Sequence, residues 1–157
     1  MKLFFDEDTG GGVPNALRAV GISCQSVSRK SAIHKGTADE IWIPYAGERG
    51  LLVFSCNKAI LEAEAQRKLW IENKVGGVFL TSGQERKIDV LMLILRRLEW
   101  LRQIDEQVAR PFAYMMDIRG NRRKQPLSML GDRPTDEAHQ DAARVAPALH
   151  FVDGTIT

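Results

Sequence analysis

Apolar and polar residues alternate in blocks along the first 118 residues. Short apolar runs predict four strands, the first and third of them continuous enough for buried parallel strands, at residues 1–5, 22–27, 51–54 and 76–80. The stretches between and after these runs favour helices, at 15–20, 38–49, 58–72 and 85–108. A weaker alternation at 112–118 indicates an edge strand.

The alternation of strand and helix predicts an α/β fold with a mainly parallel sheet and helices on both faces. We expect one domain over residues 1–124, followed by a tail at 125–157 that is mostly loop, with a short helix at 136–145. Two helices have sharper signals. Thr37 and Glu40 have the spacing of a capping box before a helix that Pro44 should interrupt.

The longest helix is predicted at 85–108, because apolar residues recur there at three- and four-residue steps. Its expected core face consists of Ile88, Leu91, Leu95, Leu98, Leu101 and Ile104.

Composition narrows the class of protein. The 157 residues are 44% hydrophobic and 27% charged, as in ordinary globular domains, and a net charge of +2 is too small to indicate nucleic-acid or membrane binding alone. Cys24 and Cys56 have no metal-ligand spacing, so we expect reduced thiols. Lys2 and Asp6 interrupt the first apolar run, which argues against a signal peptide, and no run could span a bilayer; we expect a cytoplasmic protein.

Three consecutive acids, Asp6, Glu7 and Asp8, follow the first strand directly. Ligands of open α/β sheets lie outside the carboxyl ends of the strands. Three carboxylates placed there repel one another unless a cation or shared protons offset their charge. The sequence therefore predicts a divalent metal ion at this edge of the sheet.

Two further groups should meet these acids in a parallel sheet. Asp39 and Glu40 open the second helix, and Asn57 follows the strand at 51–54. Carboxylate and amide oxygens suit Mg²⁺ or Mn²⁺, and such a metal ion can polarise a phosphodiester and supply hydroxide for its hydrolysis.

Each of these side chains also has a purely structural interpretation. Asp39 and Glu40 could serve only to favour a helix N-terminus, Asn57 could cap the next helix, and Asp8 could form an Asx-turn. Basic residues cluster at 28–36 and at 119–124, and these clusters could neutralise a phosphate backbone or simply be solvated.

Three segments of this sequence resemble the PIN-like ribonucleases, most closely the compact toxins of bacterial toxin–antitoxin pairs. The likeness covers roughly residues 1–118 and rests on three segments: Phe4–Asp8, Ala38–Trp42 and Gly50–Lys58. It implies a three-layer α/β/α sandwich with a four- to five-stranded sheet. It also implies a metal-dependent endoribonuclease that cleaves single-stranded or structured RNA.

The resemblance assigns roles to residues. The catalytic candidates are Asp6, Asp39, Glu40 and Asn57, and the metal candidates are Asp6, Glu7, Asp8, Asp39 and Glu40. Asn57 stands where the family has a third acid, which should weaken metal binding. The expected RNA-binding residues are Arg29, Lys30, Lys35, Lys58, Arg122 and Arg123. The expected partners are an RNA substrate, a cognate antitoxin and a second copy of the chain. We expect no association with a membrane.

Two rival hypotheses remain. The chain could be a catalytically degenerate PIN-like domain that binds RNA or protein. It could also be a phosphatase that resembles the haloacid dehalogenases, with Asp6 as nucleophile, Asp8 as acid and Ser55 as the second-strand hydroxyl. Against the phosphatase, Thr9 and Gly10 are in the wrong order and no late strand ends in paired acids.

Overall fold

A computed structural model describes residues 1–27 and 33–128. The described part forms six strands: β1 (Leu3–Phe5), β2 (Cys24–Ser26), β3 (Leu52–Ser55), β4 (Gly76–Leu80), β5 (Phe112–Met116) and β6 (Arg122–Lys124). Its α-helices are α1 (Gly12–Ala19), α2 (Asp39–Glu48), α3 (Ala59–Glu62), α4 (Glu64–Glu72), α5 (Lys87–Arg96) and α6 (Leu98–Gln107). A short 3₁₀ helix, Glu7–Thr9, follows β1 directly.

The six strands form one sheet in the order β2-β1-β3-β4-β5-β6. The first five are parallel, and β6 pairs antiparallel with β5. In this register Phe5 lies opposite Phe54, and Ser55 opposite Phe79, so β1 and β3 end side by side. The predicted mainly parallel α/β fold is confirmed.

Helices cover both faces of this sheet. On one face α1, α5 and α6 pack against Leu3, Phe5, Phe54 and other apolar strand residues. On the other face α2, α3 and α4 pack against Phe4, Val53 and Phe79. Alternate residues of β1 therefore enter two separate cores, as period-two side chains must, and the result is a three-layer α/β/α sandwich.

The strand count exceeds the expected four to five because β6 is present. Its residues Arg122–Lys124 are all exposed and carry no apolar alternation, so no hydrophobic pattern reveals them. A turn places the strand instead: Asp117 accepts hydrogen bonds from the backbone and side-chain nitrogens of Asn121, at 2.9 and 2.8 Å.

The predicted helix at 85–108 is two helices that meet at Arg97. Its expected core face is also wrong in the first half: Ile88 and Leu95 are exposed, whereas Val90, Leu93 and Ile94 are buried. Nearly every position from 88 to 95 is apolar, so the periodicity cannot select the buried side. Leu101 and Ile104, in the second half, are buried as predicted.

Three smaller predictions are also wrong: the single helix at 58–72, the interruption at Pro44 and the capping box. The helix at 58–72 breaks at Ala63, whose extended backbone (ψ 125°) separates α3 from α4. Pro44 does not interrupt α2, because the buried residues around it, Trp42, Ile43 and Ala46, hold the helix against the sheet.

The capping box does not form. The N-cap of α2 is Ala38, and the Thr37 hydroxyl donates to the carbonyl oxygen of His34 instead, at 2.5 Å.

Both cysteines are free thiols, as expected. Trp42 and Trp70 lie in the core. Within the described ranges, no helix is both long and apolar enough to cross a bilayer. The helix predicted at 136–145 and most of the predicted tail lie outside the described residues.

Candidate acidic site at the carboxyl edge

Asp6 lies directly after β1, and its side chain is 6% exposed. It is the N-cap of the 3₁₀ helix, where one carboxylate oxygen accepts hydrogen bonds from the Thr9 amide (3.3 Å) and the Thr9 hydroxyl (3.2 Å). The other oxygen accepts a short hydrogen bond from the Ser55 hydroxyl at the end of β3. Neighbouring strands thus hold Asp6 in a single orientation.

Burial raises the pKa of Asp6 from 3.8 to about 6. The hydrogen bond from Ser55 opposes this rise, and the nearby charge of Asp8 adds to it. The carboxylate is therefore held at an energetic cost near neutral pH. Such shifts are common in functional sites, where a bound cation or a reacting group offsets the cost.

A cleft of about 150 Å³ opens beside Asp6 at the carboxyl edge of β1 and β3. The residues that line it come from the turn after β1, the residue after β2, the start of α2 with the residue Thr37 before it, and the segment from the end of β3 into α3. They are Asp6, Glu7, Asp8, Val27, Thr37, Asp39, Trp42, Asn57 and Ile60. Four of the five predicted acids therefore share one cleft. Glu40, the fifth, is exposed on α2 and is not among the residues that line it.

Two of these acids have neighbours of their own. Asp39 accepts a hydrogen bond from the Trp42 indole nitrogen at 2.8 Å, which fixes one of its oxygens at the start of α2. Glu7 accepts one from the Gly36 amide at 2.7 Å and lies 3.7 Å from the Lys35 ammonium group. Glu7 therefore ties the segment before α2 to the rim of the cleft.

Asn57 lines the cleft but also has a structural role. Its main-chain N–H donates a hydrogen bond to the Ser55 hydroxyl oxygen at 2.9 Å, and its side-chain oxygen accepts one from the main-chain N–H of Ala59 at 3.2 Å. A contact two residues on is an Asx-turn; Asn57 is not the N-cap of α3, which is Lys58. Ser55 consequently connects Asp6 to the turn that carries Asn57.

The chemistry of these donors fits a hard divalent cation, since Asp6, Asp8, Asp39 and Asn57 offer oxygen ligands to one cleft. Among residues 1–27 and 33–128, however, no three acid, histidine or cysteine side chains stand close enough together to hold a metal ion. The carboxylates of Asp6 and Asp39 are instead engaged by hydrogen bonds from Ser55, Thr9 and Trp42.

The predicted RNA-binding residues lie apart from one another. Lys58 is exposed next to Asn57, and Lys35 is paired with Glu7. Arg122 stacks over the Trp100 ring at 4.9 Å and lies opposite Met116, at the carboxyl end of β5, while Arg123 is exposed on β6. Arg29 and Lys30 lie outside the described residues.

Sequence reasoning missed two functional contacts of Asp6, the hydroxyls of Thr9 and Ser55. Ser55 carried a usable signal, because it ends the strand that runs parallel to β1 and thus must share its carboxyl edge. Thr9 carried none beyond its spacing of three residues from an N-cap aspartate.

A family model described as PIN like domain matches residues 1–82 of the chain. No curated protein and no solved structure matches this chain. The matched stretch contains β1 to β4 and every residue that lines the cleft.

Proposed function

Because the chain belongs to the PIN-like domain family, whose match points to a nuclease, we propose that it is a metal-dependent endoribonuclease. We propose further that it is the toxin of a bacterial toxin–antitoxin pair. One observation carries the nuclease proposal: Asp6, Asp8 and Asp39, distant in sequence, line the same cleft at the carboxyl edge of the sheet.

The chain's own residues would bind and orient the substrate there. Ser55 and Thr9 keep the Asp6 carboxylate at the end of β1, and Trp42 keeps Asp39 at the start of α2, where it also lines the cleft. Asp8, exposed beside Asp6, completes the acidic wall. Such pre-positioned charges cost no reorganisation when the substrate reacts.

Asp6, Asp8 and Asp39 are the residues that would hold Mg²⁺ or Mn²⁺. Because no three acids of the described residues stand close enough together to do so as they are, these side chains would have to approach one another when the ion binds. When bound, the ion would polarise the phosphate and lower the pKa of a water molecule so that it can attack. Asn57 would contribute an uncharged oxygen. Glu7 lines the cleft but is paired with Lys35, and Glu40 is outside the cleft, so neither is assigned to the ion.

The toxin role rests on the motif resemblance. The partner that it implies is an antitoxin that covers the acidic edge or inserts a basic side chain between its carboxylates, whose repulsion the basic group would relieve. RNA would approach along the same edge, where Lys58 and Arg122 present positive charge.

The test is cleavage of labelled RNA by the purified full chain with Mg²⁺, with Mn²⁺ and with a chelator. We expect metal-dependent cleavage that Asp6→Asn and Asp39→Asn each reduce at least ~100-fold, in line with the loss of a charge that acts on the reacting phosphate. Glu40→Gln is the matched control and should retain activity, because Glu40 lies next to Asp39 but not in the cleft.

Other outcomes separate the alternatives. RNA binding without cleavage in any metal would favour the non-catalytic domain, and a phosphoryl group trapped on Asp6 would favour the phosphatase. Growth arrest on expression alone, relieved by Asp6→Asn, would support the toxin role. Full toxicity of that variant would contradict it.

A further inference from the structure

Lys87, the first residue of α5, lies across the glycine turn that follows the acids. Its Nζ is 3.5 Å from the position that a Cβ on Gly10 would occupy, and its Cδ is 3.2 Å from that of Gly12. A Cβ at Gly12 would crowd the lysine, and one at Gly10 would be in ordinary van der Waals contact with it. The absence of side chains there lets the lysine lie along the backbone.

This lysine has no partner of opposite charge among the described residues. Its neighbour Arg86 pairs with Asp89 at 2.6 Å, and Lys35 at the cleft pairs with Glu7. Lys87 is exposed and therefore keeps its full charge available to a ligand.

The position is next to the cleft but outside it. Gly10 follows Asp8 by two residues, which places the ammonium group within about 12 Å of the Asp8 backbone, at ~3.8 Å per residue. Lys87 lies on the face of the sheet that α1 and α5 cover. Lys58, the N-cap of α3, lies on the opposite face, which α3 covers.

An acidic cleft by itself repels a polyanion. Four carboxylates line this one, so a strand of RNA needs cations beside the cleft to offset the repulsion. Unpaired lysines on both sides of the sheet would hold the backbone on either side of the acids, with the bond to be cleaved between them.

On the basis of the proposed function, we propose that Lys87, cradled by Gly10 and Gly12, binds an RNA backbone phosphate beside the cleaved bond. It is a positioning residue and takes no part in the chemistry. It reads charge and not base identity, since an ammonium group contacts phosphate oxygens of any nucleotide.

The experiment measures binding of a short fluorescent single-stranded RNA of mixed sequence to the full chain in the presence of a chelator, by anisotropy over a range of salt concentrations. Lys87→Gln should weaken binding about three- to fivefold at low salt and reduce the salt slope by about 0.7, the value for one lost phosphate contact. Lys87→Arg should restore both. Lys68→Gln, an exposed lysine on α4, is the control and should change neither.

Unchanged affinity and salt slope in Lys87→Gln, or no RNA binding by the native chain, would overturn the proposal. The nuclease proposal fails separately: a native chain that binds RNA through Lys87 but never cleaves it keeps this inference and loses that one. Thermal unfolding of each variant verifies that the fold is intact.

Discussion

At the scale of single residues, Asp6 is both a candidate for the chemistry of the cleft and a group whose burial lowers the stability of the fold when it is ionised. It is buried, its pKa is raised to about 6, and the hydroxyls of Ser55 and Thr9 satisfy its oxygens. The folded state therefore binds the proton of this carboxyl group more tightly than the unfolded chain, whose aspartates titrate near 3.8. Raising the pH from 4 to 7 should lower the free energy of unfolding by roughly 2 kcal/mol through this group.

Asp6→Asn should remove that cost. We expect the variant to be more stable than the native chain by about 1–3 kcal/mol at pH 8, and nearly equal at pH 4, because asparagine has no proton to lose. Thermal and denaturant unfolding at both pH values measures the difference.

Asp117→Asn is a control of opposite sign, since hydrogen bonds from Asn121 lower the pKa of Asp117. That variant should lose stability at pH 8. A destabilised Asp6→Asn variant at pH 8 would contradict the assignment of a strained carboxylate.

Asn57 is the second residue with a specific expectation. Asn57→Asp would add a negative charge to the cleft while its new carboxylate still accepts the hydrogen bond from Ala59. We expect about a tenfold or greater rise in Mg²⁺- or Mn²⁺-dependent RNA cleavage, because the charge should tighten cation binding. Cleavage rates against metal concentration provide the measurement. Lower activity at every concentration would show that the amide is the required group.

At the scale of secondary structure, close helix contacts decide more than propensity does. Gly47 lies in α2, where alanine would ordinarily favour the helix. A Cβ at this position would lie 2.2 Å from the Asn73 carbonyl oxygen, at the end of α4. Backbone atoms cannot move aside as the end of a side chain can, so the two segments would have to separate.

Gly47→Ala should therefore lower the free energy of unfolding by about 1–3 kcal/mol despite its better helix propensity. Urea denaturation is the measurement. Gly11→Ala is the control, since its Cβ would meet only the Asn15 side chain, at 3.9 Å, and its φ of −83° suits any residue. Equal stability of the Gly47 variant and the native chain would show that the contact is looser than described.

The sequence predicted secondary structure well where one physical signal acted alone. The apolar run at 76–80 is a strand with those bounds, and Trp42 and Trp70 are in the core as expected. It failed where tertiary contacts decide: the break at Arg97, the buried side of α5 and the exposed strand β6 depend on packing and turns that no local pattern contains.

The site shows the same division. The carboxyl-edge rule predicted that the acids and Asn57 share one edge of the sheet, and Asp6, Asp8, Asp39 and Asn57 do line one cleft, whereas Glu40 does not. The rule says nothing of their spacing, and among the described residues no three acids stand close enough to hold a metal ion. Which neighbour each oxygen contacts depends on side-chain geometry: topology places Ser55 at the same edge as Asp6, but neither its hydrogen bond to Asp6 nor that of Trp42 to Asp39 follows from the sequence.

At the scale of the whole molecule, the carboxyl ends of the strands carry the acidic cleft and the amino ends carry a different set of polar groups. The amino edge carries a network in which Arg110 donates to the carbonyl oxygens of Leu51 (2.8 Å) and Gly50 (3.1 Å) and to Asp105 (2.5 Å). Asp105 and Arg110 are only 12% and 18% exposed. This network connects α6, β3 and the approach to β5, on the side of the sheet away from the cleft.

Asp105→Asn should thus affect stability without affecting the site. We expect a loss of about 1–3 kcal/mol in the free energy of unfolding, because Arg110 would keep its charge in a half-buried place without a counter-charge. RNA affinity per folded molecule should stay native. Calorimetry and the anisotropy assay, performed on the same samples, separate the two effects. Reduced affinity in a fully folded sample would indicate coupling between the edges.

The hydrogen bond between Ser55 and Asp6 has a consequence for biosynthesis. Residues 6–60, which supply every wall of the cleft, leave the ribosome before β4, yet the strand bearing Ser55 is flanked by β4 in the finished sheet. Until that neighbour emerges, one side of β3 has no main-chain partner, and β1 alone pairs with the strand that carries the hydroxyl. We therefore expect the acids of a nascent chain to take their final positions only after β4 has been translated.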